Sequence, residues 1–195
     1  MSSSMEILAR QVVGYHFCNL DNESSCTIPE FVHSLAAQLT QNPNMSHYHR
    51  LVSSTHQLQQ ILSYASCLAD PSKAFIEGIL EPLKLLRSQG KFPHQRSLLL
   101  VDGLCEAEYH RSDNGDTLSS FLKSHLDLFP NWLRVICTVR TNMLDIVKPF
   151  TFHRIRYSQS CPSGQCSSSS KLVHFMQIST LIDTIWLSIS SADPN

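Results

Sequence analysis

Leu98-Leu99-Leu100-Val101-Asp102 is a short, continuously apolar run that ends in an acidic residue. Such a run is typical of a strand that is buried on both faces of a parallel sheet. Open α/β sheets bind their ligands beyond the carboxyl ends of their strands. The sequence therefore predicts a parallel sheet with Asp102 at its ligand-binding edge.

The segments around this run alternate between strand-like and helix-like patterns over the first 157 residues. This alternation predicts an α/β fold in which helices flank a parallel sheet. Further strands are predicted over Val12 to Cys18, Trp132 to Val139 and His153 to Tyr157. Helices are predicted over Pro29 to Leu39, His56 to Tyr64, Asp70 to Gln89, Asp116 to Leu128 and Asn142 to Val147.

Asp70-Pro71 is the clearest helix start, because Asp is a good N-cap and Pro suits the first turn. Pro82 is expected to bend this helix. Gly90 is expected to end it, since glycine readily adopts the left-handed conformation of a C-cap.

The composition changes after Tyr157. Residues 158–171 are Ser-rich, cannot bury enough apolar surface to fold and are predicted to be a linker. Residues 172–195 form an apolar tail of unknown role, which three polar side chains interrupt: His174, Gln177 and Asp183. A charge near the middle of so short a span is costly in lipid, which favours a loosely ordered amphipathic tail over a membrane helix. The folded domain is thus predicted to occupy 1–157.

Charge and cysteine content exclude several classes of function. A net charge of −1 and a pI of about 6.8 lack the basic character that nucleic-acid binding requires. The first ten residues lack a secretory signal, and seven cysteines, an odd number, favour reduced thiols inside the cell. Cys18 and Cys137 lie in apolar runs and are expected in the core. Cys161 and Cys166 could hold zinc only with two further ligands, for which no suitable motif follows, so no metal is predicted.

Three charged residues are predicted to meet at the carboxyl edge: Asp102, Glu106 and Arg140. In a nucleotide site Asp102 would orient a magnesium ion, Glu106 would polarise the attacking water, and Arg140 would sense the γ-phosphate. The alternative is a structural ion pair between Asp102 and Arg140, because charges at strand ends are common.

The sequence contains no phosphate-binding string of the form G-x-x-x-x-G-K-[ST]. Gly90-Lys91 is followed by Phe92 and precedes the Asp102 strand, which is the wrong place for a phosphate cradle. Without that cradle most nucleotide affinity is lost, so no cofactor and no autonomous ATP hydrolysis are expected for this chain. The histidines His47, His49 and His56 are interpreted as surface residues of a polar connection between helices.

Several strings, in unbroken order from about Ile7 to Tyr157, together resemble a known family. They are Val12-Val-Gly-Tyr-His-Phe-Cys18, Pro29-Glu-Phe-Val-His-Ser-Leu-Ala-Ala37, Gly78-Ile-Leu-Glu-Pro-Leu83, Leu100-Val-Asp-Gly-Leu-Cys-Glu-Ala-Glu-Tyr-His110, Gly115-Asp-Thr-Leu-Ser-Ser-Phe121 and Val139-Arg-Thr141. The chain resembles the NTPase region of the TANC and rolling pebbles scaffold proteins, which also carry tetratricopeptide and ankyrin repeats.

The resemblance implies a P-loop domain of the STAND class of signalling NTPases. Asp102 matches the family's Walker B acid, Glu106 a following acid and Arg140 a sensor-like arginine. Cys105 stands where many STAND proteins have a further acid, which argues against catalysis. The family's Walker A loop would precede the first strand of this chain, so only a longer form would bind ATP and Mg²⁺, with Asp102 at the magnesium.

The resemblance ends near Tyr157, and neither repeat type follows, which suggests a fragment, a short splice product or an incomplete gene model. By kinship the chain would act through other proteins in the cytoplasm, at cell junctions or postsynaptic sites; the family's roles are postsynaptic organisation and myoblast fusion. Two functions remain open: a non-catalytic interaction module, or a nucleotide-binding switch or weak ATPase whose phosphate loop is missing from an incomplete sequence. Without the first strand and the P-loop helix, an apolar strand edge would be exposed, which also predicts that the chain self-associates or needs a partner.

Overall fold

A computed structural model describes residues 10–92, 95–110, 115–140 and 143, with the backbones of two further short strands. Three parallel strands form its centre: β1 Val12–Phe17, β2 Ser97–Asp102 and β3 Leu133–Arg140. The short strands are β4 Ile155–Arg156 and β5 Lys171–Val173, and the order in the sheet is β1-β2-β3-β5-β4. The predicted α/β class is confirmed.

The helices named below lie between β1 and β3 in the chain. Their bounds are α1 Ile28–Gln41, α2 Ser46–Ser54, α3 His56–Ile61, α4 Tyr64–Ala69, α5 Pro71–Phe75, α6 Glu81–Ser88, α7 Leu104–Tyr109 and α8 Leu118–His125. A π-helical turn, Ile76–Leu80, joins α5 to α6, and short 3-10 turns cover Glu23–Cys26, Pro43–Met45 and Leu126–Leu128.

The main core lies between the sheet and one layer of helices. Since β1, β2 and β3 follow one another across the sheet, right-handed connections place both sets of crossover helices on the same face. Phe75 of α5 joins the layer: its ring centroid lies 6.0 Å from that of Phe31 on α1 and 5.5 Å from that of Phe121 on α8. All three side chains are buried, so they tie the two crossovers together.

The region before α5 differs from its prediction. The stretch with His47 and His49, interpreted as a polar connection, forms α2, because Tyr48 and Val52 lie one turn apart and are both buried. Tyr48 also donates a hydrogen bond of 2.8 Å to the carbonyl of Gly78. The helix predicted over His56 to Tyr64 is wrong in its bounds, since α3 ends at Ile61 and α4 starts at Tyr64.

Other predicted helix ends are confirmed. Asp70 caps α5 by accepting a hydrogen bond of 2.9 Å from the Lys73 amide. The irregular turn before Pro82 is the π-helical segment, and Gly90, with φ of 68°, follows the end of α6. The helix start predicted at Asp116-Thr117 is confirmed as well, since Thr117 caps α8 in a reciprocal capping box with Ser120.

Some predictions fall largely outside the described residues. The helix predicted from Asn142 to Val147 does so except at Met143, and so do the Ser-rich segment and the tail except at β5. The last predicted strand is present over Ile155–Arg156. β5, which the sequence analysis did not predict, pairs antiparallel with both β3 and β4. Within the described ranges, no helix combines the length and apolar character that a bilayer crossing requires.

Candidate functional site at the carboxyl edge of the sheet

The carboxyl ends of the three parallel strands meet at one edge. Cys18 follows β1, and its amide donates a hydrogen bond of 2.9 Å to the carbonyl of Asp102, the last residue of β2. Gly103 then turns the chain into α7 with a left-handed φ of 77°. This turn places Glu106 in the first turn of a helix that starts at Leu104, just beyond the end of β2.

Glu106 forms an ion pair with Arg140, the last residue of β3. The Glu106 side chain is 11% exposed and that of Arg140 is 35% exposed. The hydrogen bond that Arg140 donates to Glu106 is the main cause that raises the pKa of Arg140 above its ordinary value. The alternative predicted from the sequence, an ion pair of Arg140 with Asp102, is wrong: the partner is Glu106, because α7 brings Glu106 to the end of β3.

Asp102 belongs to a second network. Its carboxylate accepts a hydrogen bond from the Thr138 hydroxyl, whose oxygen accepts another, of 2.9 Å, from the Gly103 amide. Thr138 is 4% exposed, so this hydroxyl joins β2, the turn and β3 inside the protein. The hydrogen bond from Thr138 also holds the half-buried side chain of Asp102 in a fixed position.

Cys105 precedes Glu106 in α7 and contacts the backbone of Arg140. Its sulfur accepts a hydrogen bond of 3.1 Å from the Arg140 amide, and the residue is fully buried. Burial raises the pKa of the Cys105 thiol, as it does for Cys18, and raises that of Cys137 to about 12. These thiols are therefore protonated near neutral pH and serve as packing groups rather than nucleophiles.

Contacts with neighbouring segments hold α7 in place. Its Glu108 accepts a hydrogen bond from Ser119 on α8, and Tyr109 donates one of 3.6 Å to the sulfur of Met143. His110, just after the helix, contacts the Leu20 carbonyl at 2.8 Å through Nε2. The position of Glu106 is thus set by contacts with segments that precede and follow the helix.

The chemistry open to this edge follows from these contacts. Both acids and the arginine already contact protein groups, and within the described part of the chain no three His, Cys, Asp or Glu side chains cluster as metal ligands do. Asp102 is the residue that could hold Mg²⁺ through its water shell, since it is half-buried at the end of β2, the middle one of the three parallel strands.

The fold and this edge define a parallel α/β domain whose charged residues collect beyond the carboxyl ends of its strands. No protein-family model matches the chain, and no solved structure matches it either.

Gly103 and Thr138 were missed by the sequence reasoning, although each left a signal. The dipeptide Asp102-Gly103 after an apolar run is a turn signal. Thr138 is a polar residue within an otherwise apolar strand core, which indicates a buried hydrogen bond.

Proposed function

We propose that this chain is a non-catalytic interaction module related to the NTPase region of the TANC and rolling pebbles scaffold proteins. The observation that carries the proposal is the engagement of Glu106 by Arg140. An acid that polarises water needs a free carboxylate face, and an arginine that senses phosphate needs a free guanidinium; here the carboxylate and the guanidinium are bonded to each other.

The sequence supports the same function. The 195 residues contain no string of backbone amides and lysine suited to cradle phosphates, and Asp102 is already hydrogen bonded to Thr138. The chain would therefore act by binding other proteins, in the cytoplasm and, by kinship, at cell junctions or postsynaptic sites.

Thermal unfolding with and without Mg-ATP tests this proposal. A ligand at about 100 times its Kd stabilises a protein by about 2.7 kcal/mol, which raises the Tm of a domain of this size by about 5–10 °C. We expect no shift at millimolar Mg-ATP. A clear shift that is lost in Asp102→Asn would overturn the proposal, because it would place the nucleotide at the predicted magnesium acid.

The second candidate is a nucleotide-binding switch or weak ATPase in a longer form of the chain. It is favoured by the position of Asp102, half-buried at the carboxyl end of β2. This candidate requires that transcripts of the gene encode G-x-x-x-x-G-K-[ST] upstream of Val12. Transcripts that extend upstream without this string would remove it.

A further inference from the structure

A polar groove separates the edge of the sheet from α1. It is a cavity of about 220 Å³ between residues 15–17 of β1 and three α1 side chains, Glu30, Ser34 and Gln38. These three residues are spaced four apart, so they line one side of the helix. Within the described sheet β1 pairs only with β2, which leaves its other side as an edge.

The peptide groups of β1 alternate in direction along this edge. The Cys18 amide bonds towards β2, whereas Tyr15 bonds away from it: its amide donates to Gln38 Oε1 at 2.9 Å and its carbonyl accepts from Gln38 Nε2 at 2.8 Å. One side-chain amide thus fills both pairing positions of Tyr15, as the backbone of a neighbouring strand would. The same alternation directs the peptide groups of Phe17 into the groove.

The wall of the groove is preformed by a buried histidine. His16 is 5% exposed, its Nε2 donates to the Ser25 carbonyl at 2.7 Å, and its Nδ1 lies 3.3 Å from the Ser34 hydroxyl. Its ring also packs edge-on against Phe31, with centroids 5.3 Å apart. These contacts fix α1 relative to β1, so the binding of an added strand would not carry the free-energy cost of ordering the groove.

The charge of the groove is negative. Glu30 is half-buried in its wall, and Asp21 and Glu23 are exposed in the adjoining loop. The sequence has no Lys or Arg between Arg10 and Arg50, so these acids have no basic neighbour within that segment. Complementary charge steers and selects partners, which favours a basic segment in this groove.

We propose that the groove binds an extended, positively charged segment of a partner protein as an added strand on β1, with Gln38 as a latch that this strand displaces. Main-chain hydrogen bonds at a sheet edge supply affinity in this mode of recognition, and side-chain pockets supply specificity. The inference rests on the proposed function, since it names the surface through which the interaction module would act.

A second copy of this chain fits the groove less well than a single peptide. Antiparallel pairing of two β1 strands around a two-fold axis would place both α1 helices on the same face of the joined sheet. Each helix already extends Gln38 to the strand edge, so the two helices would compete for the space above the junction. A lone strand brings no helix with it.

Fluorescence anisotropy with defined peptides tests the proposal. The probe is a labelled peptide of roughly eight residues that alternates Val and Lys, long enough to cover a strand of ordinary length. We expect it to bind at least about tenfold more tightly than a peptide that alternates Val and Glu, a difference of about 1.4 kcal/mol. A Val-Lys peptide that carries an N-methyl group on every residue, and so keeps no main-chain donor for β1, should not bind.

Variants locate the binding to the groove. Glu30→Lys should reverse the preference for charge, while Glu81→Lys, the same change at an exposed residue of α6, should leave it intact. Gln38→Ala should tighten binding several-fold by freeing Tyr15. Phe17→Pro should abolish binding without unfolding the chain, because proline is tolerated on an edge strand where its amide would face outward.

Three outcomes would overturn the proposal for this groove: equal binding of both peptides, no binding of either, or a charge preference that Glu30→Lys leaves unchanged. Dimerisation that Phe17→Pro abolishes would assign the edge to a second copy instead. The two proposals fail separately. If neither Mg-ATP nor the peptides bind the chain, only the proposal for the groove is refuted. If the chain binds the Val-Lys peptide and is also stabilised by Mg-ATP, only its proposed non-catalytic role is refuted.

Discussion

Glu106 and Arg140 form an ion pair that joins the first turn of α7 to the end of β3. The carboxylate side is nearly buried and the guanidinium side is about one-third exposed. The pair thus lies between exposed ion pairs, which contribute about 0–1 kcal/mol, and buried ones, which cost about 3–5 kcal/mol to break. Its loss should be measurable and should depend on which partner is removed.

Replacing the arginine should cost more than replacing the acid. Arg140→Gln leaves the Glu106 carboxylate nearly buried without a cation, so we expect the free energy of unfolding to fall by about 2 kcal/mol. Glu106→Gln leaves a cation that can turn towards solvent, and about 1 kcal/mol is expected. Urea unfolding of both variants measures these values.

The double variant Arg140→Gln/Glu106→Gln is the control for that pair. If the two residues interact as described, its stability should be no lower than that of Arg140→Gln alone, since no charge is then left unpaired. Strictly additive losses would contradict the ion pair.

The Thr138 hydroxyl should stabilise the turn after β2. Thr138→Val keeps the shape of the side chain but leaves the Gly103 amide without its acceptor, so we expect a loss of about 1–3 kcal/mol. Thr138→Ser keeps the hydroxyl and loses one methyl group, at about 0.8 kcal/mol. A chemical denaturation series in which valine is tolerated as well as serine would show that the hydroxyl does not hold the turn.

Gly103 should tolerate no side chain. The residue at this position has a left-handed φ of 77°, and an added Cβ would lie 2.7 Å from the carbonyl oxygen of Cys18. Gly90 has a similar φ of 68°, but a Cβ there would meet nothing within 4 Å. Gly90→Ala should therefore cost about 1 kcal/mol for the backbone conformation alone, and Gly103→Ala should cost clearly more. Thermal unfolding of the two variants side by side measures the difference, and equal losses would refute the close approach to Cys18.

The parallel sheet was predictable because its signals are local. The apolar run that ends at Asp102 and the strand after Gln11 are each marked by composition, and the cap at Asp70 is a single-residue signal. The helices α2 and α7 were not predicted. Each is short, with nine and six residues, and depends on tertiary contacts such as the bond from Tyr48 to Gly78.

The sequence predicted which charged residues lie at the carboxyl edge of the sheet, but not which of them form the ion pair. Strand ends placed Asp102 and Arg140 near one another, since parallel strands end at the same edge. The pairing depends on α7, which begins just after Gly103 and brings Glu106 to Arg140. Asp102 instead accepts a hydrogen bond from Thr138. Likewise, nothing local in the sequence indicates that Gln38 bonds to the backbone of Tyr15, because the two residues meet only after α1 packs on β1.

His16 should make the stability of the domain depend on pH. Burial is the main cause that lowers the pKa of His16 below 6.5, and its hydrogen bond to the Ser25 carbonyl only partly opposes this. Well above pH 6.5 the imidazole is neutral in both states, so its contribution is constant. Below that pH the unfolded chain binds a proton before the folded chain does, so stability falls as the pH falls towards the folded pKa.

His16→Gln removes this titration and keeps a side-chain donor for the Ser25 carbonyl. We expect wild-type stability to decline between pH 6.5 and pH 5 more steeply than that of the variant, with an excess slope of up to about 1.4 kcal/mol per pH unit. Urea unfolding at several pH values measures both profiles, and their difference isolates His16 because every other titrating group is common to both. Parallel profiles would mean that His16 takes up its proton equally well in the folded protein, and that the wall of the groove is more open to water than its burial indicates.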